Sequence, residues 1–395
     1  MVYDDPFLTP ERKALAQSVR EFTVRNIAPE LDIWEREGRI PLKLHRLSAE
    51  AGLAGLGYPE EIGGSGGDVI DTVIMIEEIL QSGGSGGLVA GLFTQGIATP
   101  HVIDEVARRR DRGDDAGADY LQTHFVDPVL SGERIAALGV TEPDGGSDVA
   151  AIRTRADVDP DDPDTLIVNG SKTFITSAIR ADSITAAVRT GGPGASGVSL
   201  AVIPTDAPGF SVTRELDKMG WRCSDTAELA FVDVRIPRAN LLGDELGFAS
   251  LAKHFAIERL TLAVTAYATA QRCLDLTTAY CQQRETFGKP LSDRQVVRHD
   301  LVEMFRSIDV ARVYTRDVAR RAAAGEQVIL PALMAKNTAV AACEFVVDRA
   351  VQLHGGAGYM RDSEVERHYR DSRILGIGGG ATEVMTDLAA RMLAI

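Results

Sequence analysis

The stretch TLIVNGSKTFIT, Thr165 to Thr176, decides the fold class of this chain. Two short runs rich in β-branched and apolar residues flank Asn169-Gly170, a dipeptide that favours a two-residue hairpin turn because both positions tolerate positive φ. Runs of the same kind follow in SITAAV, GVSLAVI and AELAFVDVRI, so residues 133–237 read as a small antiparallel sheet or barrel. On either side the period changes to that of helices. From Thr9 to about Ser131, Thr9 can cap, Pro10 suits the first helical position, and Leu15, Val19 and Phe22 recur on one face. From Gly247 the helical period returns near 247–285, 293–324 and 330–354, with a shorter segment near 381–394. Leu333, Val340, Phe345 and Val347 fit packed bundle helices, and Gly325 and Gly355 are natural stops. The expected architecture is α+β and multi-domain: an N-terminal α-helical domain (1–132), a middle antiparallel β-barrel-like domain (133–240) and a C-terminal four-helix bundle (241–395).

Composition agrees with a large folded protein. The chain has 395 residues, 45% hydrophobic, with a mean hydropathy of −0.03, enough for more than one core. Its net charge of −15 argues against nucleic-acid binding, which needs a concentrated basic stripe. The N-terminal MVYDDPFLTPERK lacks the pattern of a secretory signal and no run of about 18 apolar residues stands out, so a cytoplasmic protein without a membrane span is expected. Cys223, Cys273, Cys281 and Cys343 form no CxxC pair and read as buried apolar fillers. GGSGGD (Gly63–Asp68) and GGSGG (Gly83–Gly87) read as turns, since neither follows a strand or ends in GK[ST]. ARRRDRGDDAGAD (Ala107–Asp119) reads as a solvated, mobile loop. Gly376, Gly378 and Ala381 spell GxGxxA, but only fourteen residues follow, too few for the βαβ unit that gives that spacing meaning.

Four segments carry chemistry: GVTEPDGGSD (Gly139–Asp148), KTFITSA (Lys172–Ala178), RETFGKPLSDRQ (Arg284–Gln295) and QLHGGAGYMRDSEVERHYRDSRILGIGGGATEV (Gln352–Val384). TEPDGGSD is a glycine- and hydroxyl-rich turn whose backbone N–H groups could meet an anion, or a plain solvent loop. Arg284 could pair with phosphate and Phe287 stack on a base, or the two could be a surface cation and an apolar plug. In this order, together with YPEEIGGSGGD (Tyr58–Asp68), the segments resemble the acyl-CoA dehydrogenase family over nearly the whole chain.

That resemblance implies FAD as cofactor and an acyl-CoA thioester as substrate. It implies that Leu138, Gly139, Val140, Thr141, Glu142, Pro143, Asp144, Gly145, Gly146 and Ser147 border the flavin and its pyrophosphate, with Thr141 near the isoalloxazine and Ser147 also approaching the acyl-CoA. Phe174, Ile175 and Thr176 match a Trp-Ile-Thr segment that covers the flavin; Phe keeps a flat apolar wall and loses an indole N–H. Arg284, Glu285, Thr286, Phe287, Arg294 and Gln295 match residues that contact the FAD of a neighbouring subunit, as do Gln352, Leu353, His354, Gly355 and Gly356. Ala381, Thr382 and Glu383 match a Thr-Ser-Glu segment near the FAD, although Ala381 lacks the hydroxyl. A homotetramer and electron-transfer flavoprotein as electron acceptor are further implications.

The base is the point of departure. The family's terminal motif, Tyr-Glu-Gly-Thr-Ser-Glu, aligns through Gly380 and Glu383 so that Gly379 falls on the catalytic Glu, and glycine cannot take a proton. In the isovaleryl and long-chain branches the acid lies instead on the first bundle helix, in a Glu-Arg-Leu sequence matched here by Glu258, Arg259 and Leu260. Independently of the family, Leu251, Phe255, Glu258 and Leu262 share one helix face, which places a carboxylate among apolar side chains. Desolvation would make it a stronger base; an ion pair with His254, four residues earlier, or with a neighbouring helix is the other use for an acid there. The resemblance implies that Glu258 removes the pro-R α-proton while FAD N5 takes a hydride from the β-carbon, giving a trans-2-enoyl-CoA. By the same matching Ser147, Ala256, Ile257, Glu258, Arg259, Gly379 and Gly380 line the acyl-CoA site, with the Gly379 N–H on the thioester oxygen. A flavin monooxygenase of the same fold and a non-catalytic acyl-CoA binding protein are the competing readings.

Overall fold

The computed structural model describes residues 7–243 and 247–395; residues 1–6 of the N-terminal stretch lie outside them. The first layer is helical: α1 (Pro10–Asn26), α2 (Leu31–Glu37), α3 (Leu42–Glu50), α4 (Val69–Gln81), α5 (Gly86–Leu92), α6 (Gln95–Asp111), α7 (Asp115–Leu121) and α8 (Asp127–Leu130). Thr9 caps α1 by accepting from the Arg12 N–H at 3.3 Å, Pro10 occupies the first turn, and Val19 and Phe22 are buried. The first glycine cluster is a turn that ends at Asp68, which forms a capping box with Asp71 at the start of α4.

The mobile loop expected over Ala107–Asp119 is not there. Helix α6 runs to Asp111 and α7 starts at Asp115. Arg109, 5% exposed, pairs with buried Glu105 at 2.9 Å and donates to the carbonyls of Gly117, Ala239 and Leu241. A charged run thus serves as a buried strut, because one guanidinium satisfies carbonyls from segments far apart in the chain.

The middle layer is an eight-stranded sheet: β1 (Ala136–Gly139), β2 (Arg155–Asp159), β3 (Asp162–Thr176), β4 (Ser183–Arg189), β5 (Val198–Pro204), β6 (Phe210–Glu215), β7 (Thr226–Pro237) and β8 (Leu241–Leu242), in the order β6-β7-β3-β2-β4-β5-β8. Pairing is antiparallel except at β4, which β1 and the start of β2 meet in parallel. Strand alternation divides two cores: Ile184, Ala186 and Val188 face one cluster, while Ala187, Val198, Leu200 and Val202 face another that includes α6, α7 and Leu251.

Asn169-Gly170 makes no hairpin. Strand β3 runs straight through it, held by β2 on one edge and β7 on the other, and the dipeptide forms a bulge where the register with β7 shifts between Val168 and Gly170. Gly170 has φ of 149°, and a Cβ there would lie 2.5 Å from Thr154 Oγ1. Asn169 instead exchanges hydrogen bonds with Asp233 across the sheet. The actual turn between β2 and β3 falls at Pro160-Asp161.

Helices α9 (Gly247–Gln283), α10 (Gln295–Ala323) and α11 (Ile329–His354) form the bundle, with α12 (Glu364–Ser372) and α13 (Thr382–Met392) packed on it. Helix α12 buries mostly polar positions: Arg367, His368, Asp371 and Ser372 beside Val365. Among the described residues one stretch, Ile329–Tyr359, is long and apolar enough by composition to cross a membrane, although Lys336, Glu344, Asp348 and Arg349 interrupt it; half of its most apolar 18-residue window is buried inside the bundle. All four cysteines are free and buried.

Candidate active site

Two of the segments singled out in the sequence lie side by side. The Thr173 N–H donates to Thr141 O at 2.9 Å, and Lys172 Nζ donates to Val140 O at 3.1 Å and Glu142 Oε1 at 2.8 Å. The Glu142 carboxylate also accepts from the N–H groups of Arg153 and Thr154, at 2.6 and 2.9 Å, so it is spent inside the protein rather than offered to a ligand. Burial opposes its charge, but Lys172 and these donors outweigh burial and hold its carboxyl below the usual range. Beyond it the turn Pro143, Asp144, Gly145, Gly146 and Ser147 is exposed, and among the described residues the Gly146 and Ser147 N–H groups donate to no protein acceptor.

Facing outward beside this turn is Phe174, 68% exposed, with φ of 60° at a bulge between Lys172 and Ile175. Ile175 anchors the segment in the sheet core, while Thr176 points to the same side as Phe174. An exposed ring in a left-handed backbone, next to unspent N–H groups, is a surface suited to a flat cofactor carrying phosphates. FAD fits that description.

Glu258 lies on α9 where two cores meet. Leu251 and Phe255, two turns and one turn earlier, pack in the sheet-side cluster with Leu138 and Val140; Leu262, one turn later, packs with the bundle. The carboxylate stays partly open to solvent, yet the surrounding protein strips enough water to raise its pKa, opposed by the charges of Arg259 and Lys336. His254 does not pair with it, because that imidazole meets Asp104 at 2.9 Å.

The terminal loop closes over Glu258. Gly379 has φ of 63° and Gly380 of 96°. A Cβ at Gly379 would lie 3.6 Å from Glu258 Oε1 and 2.3 Å from Leu262 Cδ1, so the acid from α9 reaches the place where a side chain at 379 would begin. Gly379→Ala therefore combines left-handed strain with overpacking, and a loss of about 2–4 kcal/mol is expected, read as a lowered thermal midpoint. Arg259 Nε holds Gly379 O at 3.3 Å. Ala256 is buried and Ile257 is partly exposed. Ala381 is the N-cap of α13 without a side-chain cap, and Thr382 donates to Gly376 O at 3.4 Å, while Glu383 is exposed in the first turn.

The remaining residues form a second group at the far end of α9. Residues Glu285–Thr286 and Lys289–Pro290 make a hairpin whose tip, Phe287, is 96% exposed with φ of 51°, with Arg294 stacked 5.8 Å from its ring. Arg284 and Gln295 are exposed nearby. Tyr280 stacks on His354 at 4.3 Å and donates to its carbonyl, which brings Gln352, Leu353, Gly355 and Gly356 to the same end. Along α9 this end is roughly 37 Å from Glu258 at 1.5 Å per residue. Among the described residues no hydrogen bond, ion pair or ring contact joins the two groups.

Sequence reasoning missed Lys336, buried on α11, which donates to Gly378 O and Gly380 O. Its only signal was a lysine at a core position of an apolar helix. It also missed a cleft beyond Ser147 lined by Asp148, Arg153, Arg155 and Arg189, whose arginines are scattered in the chain.

The family models for the N-terminal, middle and C-terminal domains of acyl-CoA dehydrogenase match residues 9–109, 137–234 and 245–394. A probable acyl-CoA dehydrogenase, YngJ, of Bacillus subtilis is 34% identical over 98% of each chain. The long-chain specific acyl-CoA dehydrogenase of Sus scrofa mitochondria is 33% identical over 96% of this chain and 86% of its own. The crystal structure of a probable acyl-CoA dehydrogenase from Mycobacterium abscessus is 56% identical and superposes with a TM-score of 0.93 over 98% of this chain and all of the other. The chain belongs to the acyl-CoA dehydrogenase family, FAD-dependent oxidoreductases that act on acyl-CoA.

Proposed function

We propose that this protein removes hydrogen from the α and β carbons of an acyl-CoA thioester, in fatty-acid or branched-chain acyl-CoA breakdown, with Glu258 as the base. The observation that carries the reading is the 3.6 Å between Glu258 Oε1 and the position of a Cβ at Gly379, together with the raised pKa of that acid. Glu258 takes the α-proton, the electron pair of that bond becomes the new C=C bond, and the β-hydrogen departs with its own electron pair. FAD, when bound, supplies the acceptor for that hydride. Ser147, Ala256, Ile257, Arg259 and Gly380 would line the thioester site, and the N–H of Gly379 would take the carbonyl oxygen.

Thr141, Gly145, Gly146, Ser147, Phe174 and Thr176 would hold the flavin and its phosphates. Arg284, Phe287, Arg294, Gln295, Gln352 and Gly355 would serve a second copy's cofactor, a division supported by their distance from Glu258 and by the bare ring of Phe287. Val296, Val302, Phe305, Val310 and Val313 leave α10 with an exposed apolar stripe that a homotetramer would cover. For the phosphates of CoA we favour the cleft beyond Ser147: the ion pairs of Arg153 with Asp144 and of Arg155 with Asp157 are exposed and exchangeable. Electron-transfer flavoprotein is the expected electron acceptor. Four unpaired thiols suit a reducing compartment, in keeping with a cytoplasmic enzyme.

A panel of acyl-CoAs, short and long, straight and branched, tests the reading. At least one should bleach the flavin absorbance under anaerobic conditions and yield a 2-enoyl-CoA. Tight binding of every member without bleaching would reject dehydrogenation.

A further inference from the structure

Lys336 is 1% exposed, in a helix whose other buried positions are apolar. A buried ammonium must find acceptors. It finds two carbonyls, Gly378 O and Gly380 O, both at 2.5 Å. Its charge acts on Glu258, but its hydrogen-bond partners among the described residues are carbonyls and not carboxylates. The lysine therefore spends its hydrogen bonds on the carbonyls of the two residues on either side of Gly379.

The consequence follows from peptide geometry. In a planar trans peptide the C=O and the next residue's N–H point in opposite directions. Drawing Gly378 O toward Lys336 turns the Gly379 N–H away from it, and drawing Gly379 O toward Arg259 does the same for the Gly380 N–H. Among the described residues neither N–H donates to a protein acceptor, whereas the Gly378 N–H donates to Ile374 O at 2.7 Å. Two consecutive glycines with positive φ have no side chains to hold this arrangement. The cations on α9 and α11 hold it instead.

We propose that Lys336 is a positioning residue: by fixing the carbonyls of Gly378 and Gly380 it presents the Gly379 N–H to the thioester oxygen, where negative charge gathers as Glu258 takes the α-proton. This inference rests on the assignment of Glu258 as base. It concerns the stabilisation of the enolate and not the removal of the hydride.

A 3-thiaacyl-CoA separates the two steps, because sulfur at the β position acidifies the α-carbon and leaves no β C–H to lose. With 3-thiabutanoyl-, 3-thiaoctanoyl- and 3-thiapalmitoyl-CoA as probes, the wild-type protein should ionise at least one and show a long-wavelength charge-transfer band. Lys336→Met should keep its FAD and bind the same probe, yet ionise it about 10- to 100-fold less at equal pH, short of the 10²–10³ typical for deleting a donor outright. With substrate, kcat should fall and KM change little. Lys336→Gln, which keeps a neutral donor, should lie between. Ionisation equal to wild type in either variant would overturn the proposal, as would loss of the folded, FAD-bound state in both, since that assigns Lys336 to stability alone. Glu258→Gln is the control: if it still ionises the probe the base assignment fails, and if it is silent while the Lys336 variants match wild type, only the role of Lys336 falls.

Discussion

Glu258→Gln is expected to leave a yellow, FAD-loaded protein whose flavin no acyl-CoA bleaches at the wild-type rate. The loss should reach about 10²–10⁴-fold in kcat, the range for removing a positioned general base. Gly379 offers no substitute proton acceptor, and a side chain cannot be placed there without displacing Leu262. The pKa of Glu258 is raised by desolvation, so the rising limb of the wild-type pH–rate profile should lie above the ordinary carboxylate range. The same shift fixes the sign for stability. A carboxyl whose folded pKa exceeds its unfolded value favours the fold at low pH and loses that contribution as pH rises through the folded pKa. At neutral pH the ionised acid thus works against folding, and the thermal midpoint of the Gln variant should not fall. Rapid bleaching by the variant would reject the assignment, and a lower midpoint would contradict the desolvation argument.

Lys172→Met is expected to destabilise the sheet domain strongly. It removes the cation from a buried pair and leaves the Glu142 carboxylate without its counter-ion, with only the Arg153 and Thr154 N–H groups in support. Breaking such a pair costs about 3–5 kcal/mol, with the lower end expected because those two donors remain. The damage should reach the cofactor, since Lys172 also holds Val140 O and so the segment leading into the glycine turn. The variant should lose FAD on gel filtration and melt at a lower temperature. Glu142 has a folded pKa below its unfolded value, so its contribution is complete above the ordinary carboxylate range and is lost as pH falls through the depressed pKa. The gap between wild type and variant should therefore narrow in acid. Adding Glu142→Gln should recover part of the loss. An unchanged midpoint in the single variant would show that Glu142 is neutral or solvated.

Periodicity alone was enough for the order of helical, sheet and helical regions, because each helix or strand shows its buried face in its own residues. Val19 and Phe22 on α1 and Leu333, Val340 and Val347 on α11 are buried as their spacing requires, and Leu15 packs half-buried against the same core as Val19 and Phe22. The placement of Glu258 on an apolar face was legible for the same reason. Helix α12 was not, since most of the residues it buries are polar and their partners lie elsewhere.

What the tertiary structure alone decided is which distant groups meet. Asn169-Gly170 satisfies the local rule for a turn, but flanking strands on both edges pull it straight and leave a bulge. Arg109 satisfies the local rule for a solvated charge, but Glu105 and three backbone carbonyls take it into the interior. Lys336 and Gly379 are remote in sequence, and no pattern within either segment encodes that an ammonium from one fixes the peptides of the other. Hydrophobic burial is written residue by residue into a chain, whereas a hydrogen bond or ion pair belongs to two places at once and exists only after the chain has brought them together.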